Sequence, residues 1–102
     1  MTDSSREVIE QEVERIVHRL GTMPLNRIDA HVQQTVRDAA QRIVDLTPDP
    51  GRPEGVRIPT VGAFALGPQL AVVVTDYLEC TTAAPDDAAV AKIVTDIRRS
   101  LP

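Results

Sequence analysis

Residues 66–81 read LGPQLAVVVTDYLECT, and the conformation of this stretch decides the fold class. At helical spacing, Leu66, Leu70 and Tyr77 fall on one face, as the buried side of an amphipathic helix requires. However, residues 72–75, VVVT, form a β-branched run, and such runs favour strands. The first pattern predicts an all-α protein, and the second predicts an α+β domain.

The polar residues of the same stretch favour the helix. Gln69, Asp76 and Glu79 gather on the face that points away from Leu70 when the residues are spaced as a helix. The strand alternative would pair the chain on both sides of Gly67-Pro68 in a hairpin at 63–75, and an isolated two-stranded ribbon is only marginally stable. We therefore predict a helix here and retain a short hairpin within an α+β fold as the alternative.

Three further stretches show apolar residues recurring every three or four positions, which is the helical period. A capping box formed by Ser4 and Glu7 fits the start of the first. The predicted helices cover residues 4–20, 24–46, 67–81 and 85–101. Together they predict an all-α fold, a four-helix bundle-like single domain over residues 1–102.

A long connection rich in proline and glycine separates the second and third predicted helices. Residues 47–62, TPDPGRPEGVRIPTVG, hold four Pro and three Gly, a density that neither a helix nor a central strand tolerates. We interpret the segment as a crossover connection on the surface of the bundle. The alternative is that it docks the chain, as an accessory subunit, onto a larger enzyme.

Composition excludes several classes of function. The chain has 102 residues, is 42% hydrophobic and carries a net charge of −4 with no basic stripe, so nucleic-acid binding is not expected. No apolar run is long enough to span a membrane. The single cysteine, Cys80, excludes an intramolecular disulfide. A polar N-terminus without an apolar signal segment then indicates a small, acidic, cytoplasmic protein.

The sequence contains no recognisable catalytic, cofactor-binding or metal-binding set. The two histidines, His18 and His31, do not share a helical face with further ligands, as a metal site would require. Tyr77 points towards the core, where its hydroxyl needs a hydrogen-bond partner. If the protein is instead a small-molecule-binding bundle or an enzyme with an interhelical pocket, the candidate pocket residues are Tyr77, His31 and Cys80.

The surplus of apolar side chains in the third helix is the feature that points to a function. Residues 70–74, LAVVV, place apolar groups around nearly the whole circumference of a helix, although one face of a bundle helix should meet water. Ala71 and Val72, with Val44 of the second helix, therefore predict a second buried surface. The simplest partner is another copy of the chain. We predict a homodimer whose function is self-association or protein–protein interaction without catalysis.

Overall fold

The computed structural model describes residues 5–48, 57–81 and 86–102, and these residues form an all-α helical bundle without strands. The four helices are α1 (Ser5–Thr22), α2 (Ala30–Leu46), α3 (Leu66–Cys80) and α4 (Asp87–Ser100). Short 3₁₀ turns at Leu25–Arg27 and Ala63–Ala65 precede α2 and α3. Among the described residues, no helix combines the length and the apolar content that crossing a membrane requires.

The stretch that decides the fold class is helical, so the prediction of an all-α protein is confirmed and the hairpin alternative is wrong. Residues 63–65 form a 3₁₀ turn that leads directly into α3, where the alternative would need a strand. Leu66, Leu70 and Tyr77 are completely buried on the face that the helical spacing predicts. Burial of this face outweighs the strand preference of the β-branched run, since tertiary packing routinely overrides local propensity.

The second long helix begins at Ala30, six residues later than the predicted start at residue 24. The carboxylate of Asp29 caps it by accepting a hydrogen bond of 2.9 Å from the backbone N–H of Val32. An aspartate at this position satisfies a backbone donor that would otherwise lack a partner, so it defines the start of the helix. Apolar periodicity extends across the preceding 3₁₀ turn and therefore overestimates the length of α2.

The end of α2 at Leu46 is as predicted, and the described ends of the other helices differ from the predicted ends by one or two residues. α1 continues to Thr22, whose hydroxyl donates to the backbone oxygen of Arg19, so the predicted end at residue 20 is two residues short. α4 covers 87–100 where 85–101 is predicted. Ser4 of the predicted capping box lies outside the described residues.

The first helix packs against α4 and α3 rather than against α2, its neighbour in sequence. The guanidinium of Arg98 on α4 donates to the buried carboxylate of Glu12 on α1, and further along α1 Arg19 donates to the backbone oxygen of Pro102. α1 and α4 therefore run in the same direction. The close approach of Gly67 to Val17 near the start of α3 shows that α1 and α3 run in opposite directions.

The core is aliphatic apart from one aromatic side chain, that of Tyr77. The four helices all contribute to it, with Ile and Val as the commonest contributors. Its fully buried large side chains are Tyr77, Ile9, Ile16, Ile43, Leu66, Leu70, Ile97, Val36, Val90 and Val94.

The seam between α2 and α3 is covered by the chain itself. The backbone N–H of Ile58 donates to the side-chain oxygen of Gln41 on α2 at 2.8 Å, and Gln69 on α3 donates to the backbone oxygen of Pro59 at 2.8 Å. Ile58 and Val61 are half-buried against the core. We call residues 57–61 the strap. Residues 49–56, the centre of the predicted Pro/Gly-rich connection, lie outside the described residues, so the expectation for that connection stays a prediction.

Substitution of Gly67 tests how closely α1 and α3 approach. A Cβ at this position would lie 3.5 Å from the Cα of Val17, which is ordinary van der Waals contact. We expect Gly67→Ala to change the free energy of unfolding by less than about 1 kcal/mol, because the gain from a more restricted unfolded chain is opposed by crowding between the new Cβ and the ring of Pro68. Gly67→Leu should lower it, because the larger side chain must push α1 away. Urea denaturation followed by circular dichroism measures both effects.

Gly21→Ala is the matched control for this measurement. Gly21 also lies within a helix, but nothing lies within 4 Å of a Cβ placed there. It should gain about 0.4–1 kcal/mol of stability, because no proline directly follows Gly21. A loss of more than about 2 kcal/mol in Gly67→Ala beside a gain in Gly21→Ala would contradict the spacing between α1 and α3.

Candidate functional site

An open groove of about 740 Å³ runs between the antiparallel helices α1 and α3. Aliphatic side chains from both helices form its floor, namely Val13, Val17, Ala71, Val74 and Leu78. Polar side chains form its rim, namely Glu10, Glu14 and His18 on α1 and Thr75 and Glu79 on α3. The rim residues of α1 recur at every fourth position, which places them along one line of the helix. We call this feature the α1–α3 groove.

The rim of the α1–α3 groove is negatively charged. Its three carboxylates, Glu10, Glu14 and Glu79, are exposed and pair with no cation among the described residues. The exposed carboxylate of Asp96 on α4 differs, because Lys92 lies 2.7 Å from it and neutralises it. An apolar floor between uncompensated negative charges is suited to a ligand that is both apolar and cationic.

A second polar feature closes one end of the bundle. Tyr77 donates a hydrogen bond of 2.6 Å from its hydroxyl to Oδ1 of Asp87, and both side chains are buried. The guanidinium of Arg6 lies 3.2 Å from the same carboxylate oxygen and 3.3 Å from the other. The buried negative charge therefore has both a cation and a hydroxyl donor, as burial of a charge requires. The hydroxyl oxygen of Thr81 also accepts a hydrogen bond of 3.2 Å from Arg6. We call Arg6, Tyr77, Thr81 and Asp87 the Asp87 cluster.

Arg6 also caps the C-terminal end of α3. One of its terminal nitrogens donates to the backbone oxygen of Leu78 at 2.6 Å and to that of Thr81 at 3.0 Å. Carbonyl groups in the last turn of a helix lack partners within the helix and carry a partial negative charge, so a guanidinium stabilises them. Arg6 thus joins the first turn of α1 to the end of α3 and, through Asp87, to the start of α4.

The Asp87 cluster holds the phenol of Tyr77 in its protonated form. Burial raises the pKa of Tyr77 well above its ordinary value, and the hydrogen bond to Asp87 and the negative charge of that carboxylate raise it further. A phenol in this state donates a hydrogen bond but does not act as a general base near neutral pH. The cluster is therefore suited to joining helices rather than to proton transfer.

The structure places the three predicted pocket residues in different surroundings. Tyr77 is buried in the Asp87 cluster, whereas Cys80 is exposed in the last turn of α3 and His31 is exposed in the first turn of α2. None of the three lines the α1–α3 groove. A pocket formed jointly by these three residues therefore stays a prediction.

The three predicted interface residues also lie in different parts of the structure. Val72 lies on the outer face of α3 with 61% of its surface exposed, and the neighbouring Ala71 is half-buried in the floor of the α1–α3 groove. Val44 lies on α2, half-buried against the core. The three residues therefore lie on different surfaces: Ala71 on the side of α3 that faces α1, Val72 on the outer face of α3, and Val44 on α2.

Neither the acidic rim of the α1–α3 groove nor the Asp87 cluster is predicted from the sequence. Arg6 and Asp87 are 81 positions apart, and no local pattern connects residues at that separation. The acidic rim left a detectable signal, since Glu10, Glu14 and His18 stand four residues apart beside the apolar stripe of α1. This spacing marks one wall of a groove only once the position of the neighbouring helix is known.

Neither a metal site nor similarity to a known protein assigns a function to the described residues. Within residues 5–48, 57–81 and 86–102, no three or more His, Cys, Asp or Glu side chains come together in a way that would hold a metal ion. Comparison of the chain with protein-family models, with curated proteins and with solved structures finds no match in any of the three.

Titration of Tyr77 tests the Asp87 cluster, because Tyr77 is the only tyrosine and the chain has no tryptophan. In the folded protein we expect no phenolate absorbance near 295 nm at about pH 10–11, where an unperturbed tyrosine titrates. The same chain in urea should titrate near the ordinary value of about 10. A folded protein that titrates like the unfolded chain would contradict the burial of this hydroxyl.

The raised pKa also predicts how stability depends on pH. Because folding raises the pKa of Tyr77, its stabilising contribution is complete below the unfolded value of about 10 and is lost as the pH rises through the folded value. Wild type should therefore lose more stability than Tyr77→Phe above about pH 10. Urea denaturation at a series of alkaline pH values measures the difference. Equal losses in the two proteins would contradict the shift.

Proposed function

We propose that the protein is a non-enzymatic interaction module that associates with itself through the outer face of α3. The observation that carries this proposal is the exposure of Val72, 61% of whose surface meets water in the single chain. Val72 lies midway along α3, on the side opposite the buried face of Leu70 and Tyr77. Among the described residues no segment covers it, and a second copy of the chain would supply that cover.

The charge pattern of α3 is compatible with an antiparallel pair of α3 helices. A two-fold axis at Val72 would place residue 76 of one copy opposite residue 68 of the other, and residue 79 opposite residue 65. Asp76 and Glu79 would then face Pro68 and Ala65, so that no like charges oppose each other. The acidic end of each helix would also meet the positive end of the partner's helix dipole, which is favourable.

The proposal assigns no catalysis to the chain. Among the described residues, the polar groups that are buried together at the end of α3 satisfy one another: Asp87 accepts from Tyr77 and Arg6, and Arg6 also holds the end of α3. A catalytic site instead needs groups that remain available to a substrate. The exposed apolar surface of α3 therefore supports an association function better than a reaction.

Sedimentation equilibrium tests the proposed self-association. We expect wild type to form a dimer at a concentration of about 100 µM, and we expect Val72→Glu to be monomeric with unchanged helicity, because a buried unpaired carboxylate opposes association. The double variant Ala71→Glu/Val72→Glu should be monomeric at still higher concentration. Circular dichroism establishes that the variants remain folded, so that dissociation is not confused with unfolding.

Leu25→Glu is the matched control, because Leu25 is a second exposed aliphatic residue with 62% of its surface in water and lies outside α3. It introduces the same charge at a position outside the proposed interface, so it should leave the dimer intact. A monomeric wild type at several hundred micromolar, or equal dissociation by Leu25→Glu and Val72→Glu, would overturn the proposal.

A further inference from the structure

We infer that the α1–α3 groove binds a basic amphipathic helix of another protein. This site is distinct from the proposed self-association surface, because the groove lies on the side of α3 that faces α1, whereas Val72 points outwards. Three observations carry the inference: the uncovered seam, the charge of its rim, and the spacing of the rim residues.

The seam between α3 and α2 and the seam between α3 and α1 differ in how far the described chain covers them. The strap covers the seam with α2, where Ile58 and Val61 lie half-buried and backbone groups are held by glutamines on both helices. No described segment covers the seam with α1, where the half-buried Val17, Ala71 and Leu78 line an open groove. A ligand in this groove would cover apolar surface of α3 as the strap does on the other side.

The rim selects the charge of the ligand. Glu10 and Glu14 border the floor on one side and Glu79 borders it on the other, and among the described residues none of the three is neutralised by a cation. A cationic ligand gains favourable contacts on both sides of the groove, whereas an acidic ligand is repelled. Lysine and arginine flanking an apolar stripe supply this combination.

A second copy of the chain is a poor occupant of the groove. A two-fold axis through the groove would bring the acidic rims of the two copies, which carry Glu10, Glu14 and Glu79, against each other. Like charges in such a contact oppose association. The occupant is therefore expected to be a different protein with a basic surface.

The dimensions of the groove fit a helix. The stretch from Glu10 to His18 is nine residues of α1 and spans about 12 Å at 1.5 Å per residue, which matches two to three turns of a bound helix. A helix in such a groove places apolar anchors at positions i, i+4 and i+7 on the floor. Its neighbouring positions then carry basic side chains to the carboxylates of the rim.

Binding of a designed peptide tests this inference. The probe is a fluorescein-labelled peptide of about four helical turns, with Leu at i, i+4 and i+7 and Lys or Arg at the flanking positions. We expect fluorescence anisotropy to report saturable binding that weakens as salt rises from about 50 to about 300 mM. A peptide of the same composition, scrambled so that the leucines do not share a face, should bind much more weakly. A peptide with Glu in place of Lys and Arg should not bind.

Protein variants locate the binding surface. Glu10→Gln/Glu14→Gln should weaken binding by about three- to tenfold, the effect of losing two exposed ion pairs. Asp38→Asn/Asp76→Asn is the matched control, because it also removes two exposed negative charges but neither residue lines the groove. This control should leave the affinity nearly unchanged.

A variant that introduces a positive charge gives a second, independent test. Thr75 is exposed on the rim, so Thr75→Arg should keep the fold while repelling the basic peptide and occupying the groove. All titrations are repeated with Val72→Glu, which separates peptide binding from self-association. If the peptide binds Val72→Glu as it binds wild type, the inference stands even where the proposed dimer fails.

Three results would overturn the inference. The first is no saturable binding of the basic amphipathic peptide by a folded protein. The second is equal weakening by Glu10→Gln/Glu14→Gln and by Asp38→Asn/Asp76→Asn, which would mean attraction by net charge alone. The third is equal affinity for the scrambled peptide, which would mean that the apolar floor takes no part.

Discussion

The ion pair between Arg6 and Asp87 is the contact on which the arrangement of the helices depends. It joins the start of α1 to the start of α4, and the same guanidinium holds the end of α3. Only 5% of the Asp87 side chain is exposed, so loss of Arg6 would leave a buried charge without its cation. Losses of this kind typically cost about 3–5 kcal/mol, a large part of the stability of a small domain. Because the same guanidinium also holds the end of α3, Arg6 helps to position α3 beside α1 at this end of the α1–α3 groove.

The distribution of apolar surface explains why the third helix has too many apolar residues for a small bundle. One side of α3 is covered by α2 and the strap, and the buried face packs into the core. The side towards α1 is only partly covered, which leaves Ala71 and Leu78 in an open groove, and the outer face exposes Val72. The apolar residues of the helix thus contribute to several surfaces, and two of these are left partly exposed by the described residues.

The sequence predicts the helices better than it predicts how they interact. Periodic apolar residues identify all four helices, and the position of Gln69, Asp76 and Glu79 opposite Leu70 favours the helix over the strand in α3, because one buried face needs a consistent period. The start of α2 is misplaced, since apolar periodicity continues through the 3₁₀ turn before Asp29. The Asp87 cluster is not predictable from local patterns. Its members become neighbours only through the packing of three helices, and nothing in the sequence near residue 6 indicates a partner near residue 87.

The packing of α1 has a consequence for the order in which the chain folds during synthesis. α1 leaves the ribosome first, but the helices that cover it are α3 and α4 rather than the next helix, α2. The apolar side of α1 is therefore covered only after most of the chain has been synthesised. The contact between Arg6 and Asp87 joins residues that are 81 positions apart. Long-range contacts of this kind are slow to form because the loop must close before they can stabilise it. Until α3 and α4 have both emerged, the apolar side of α1 lacks its full native cover.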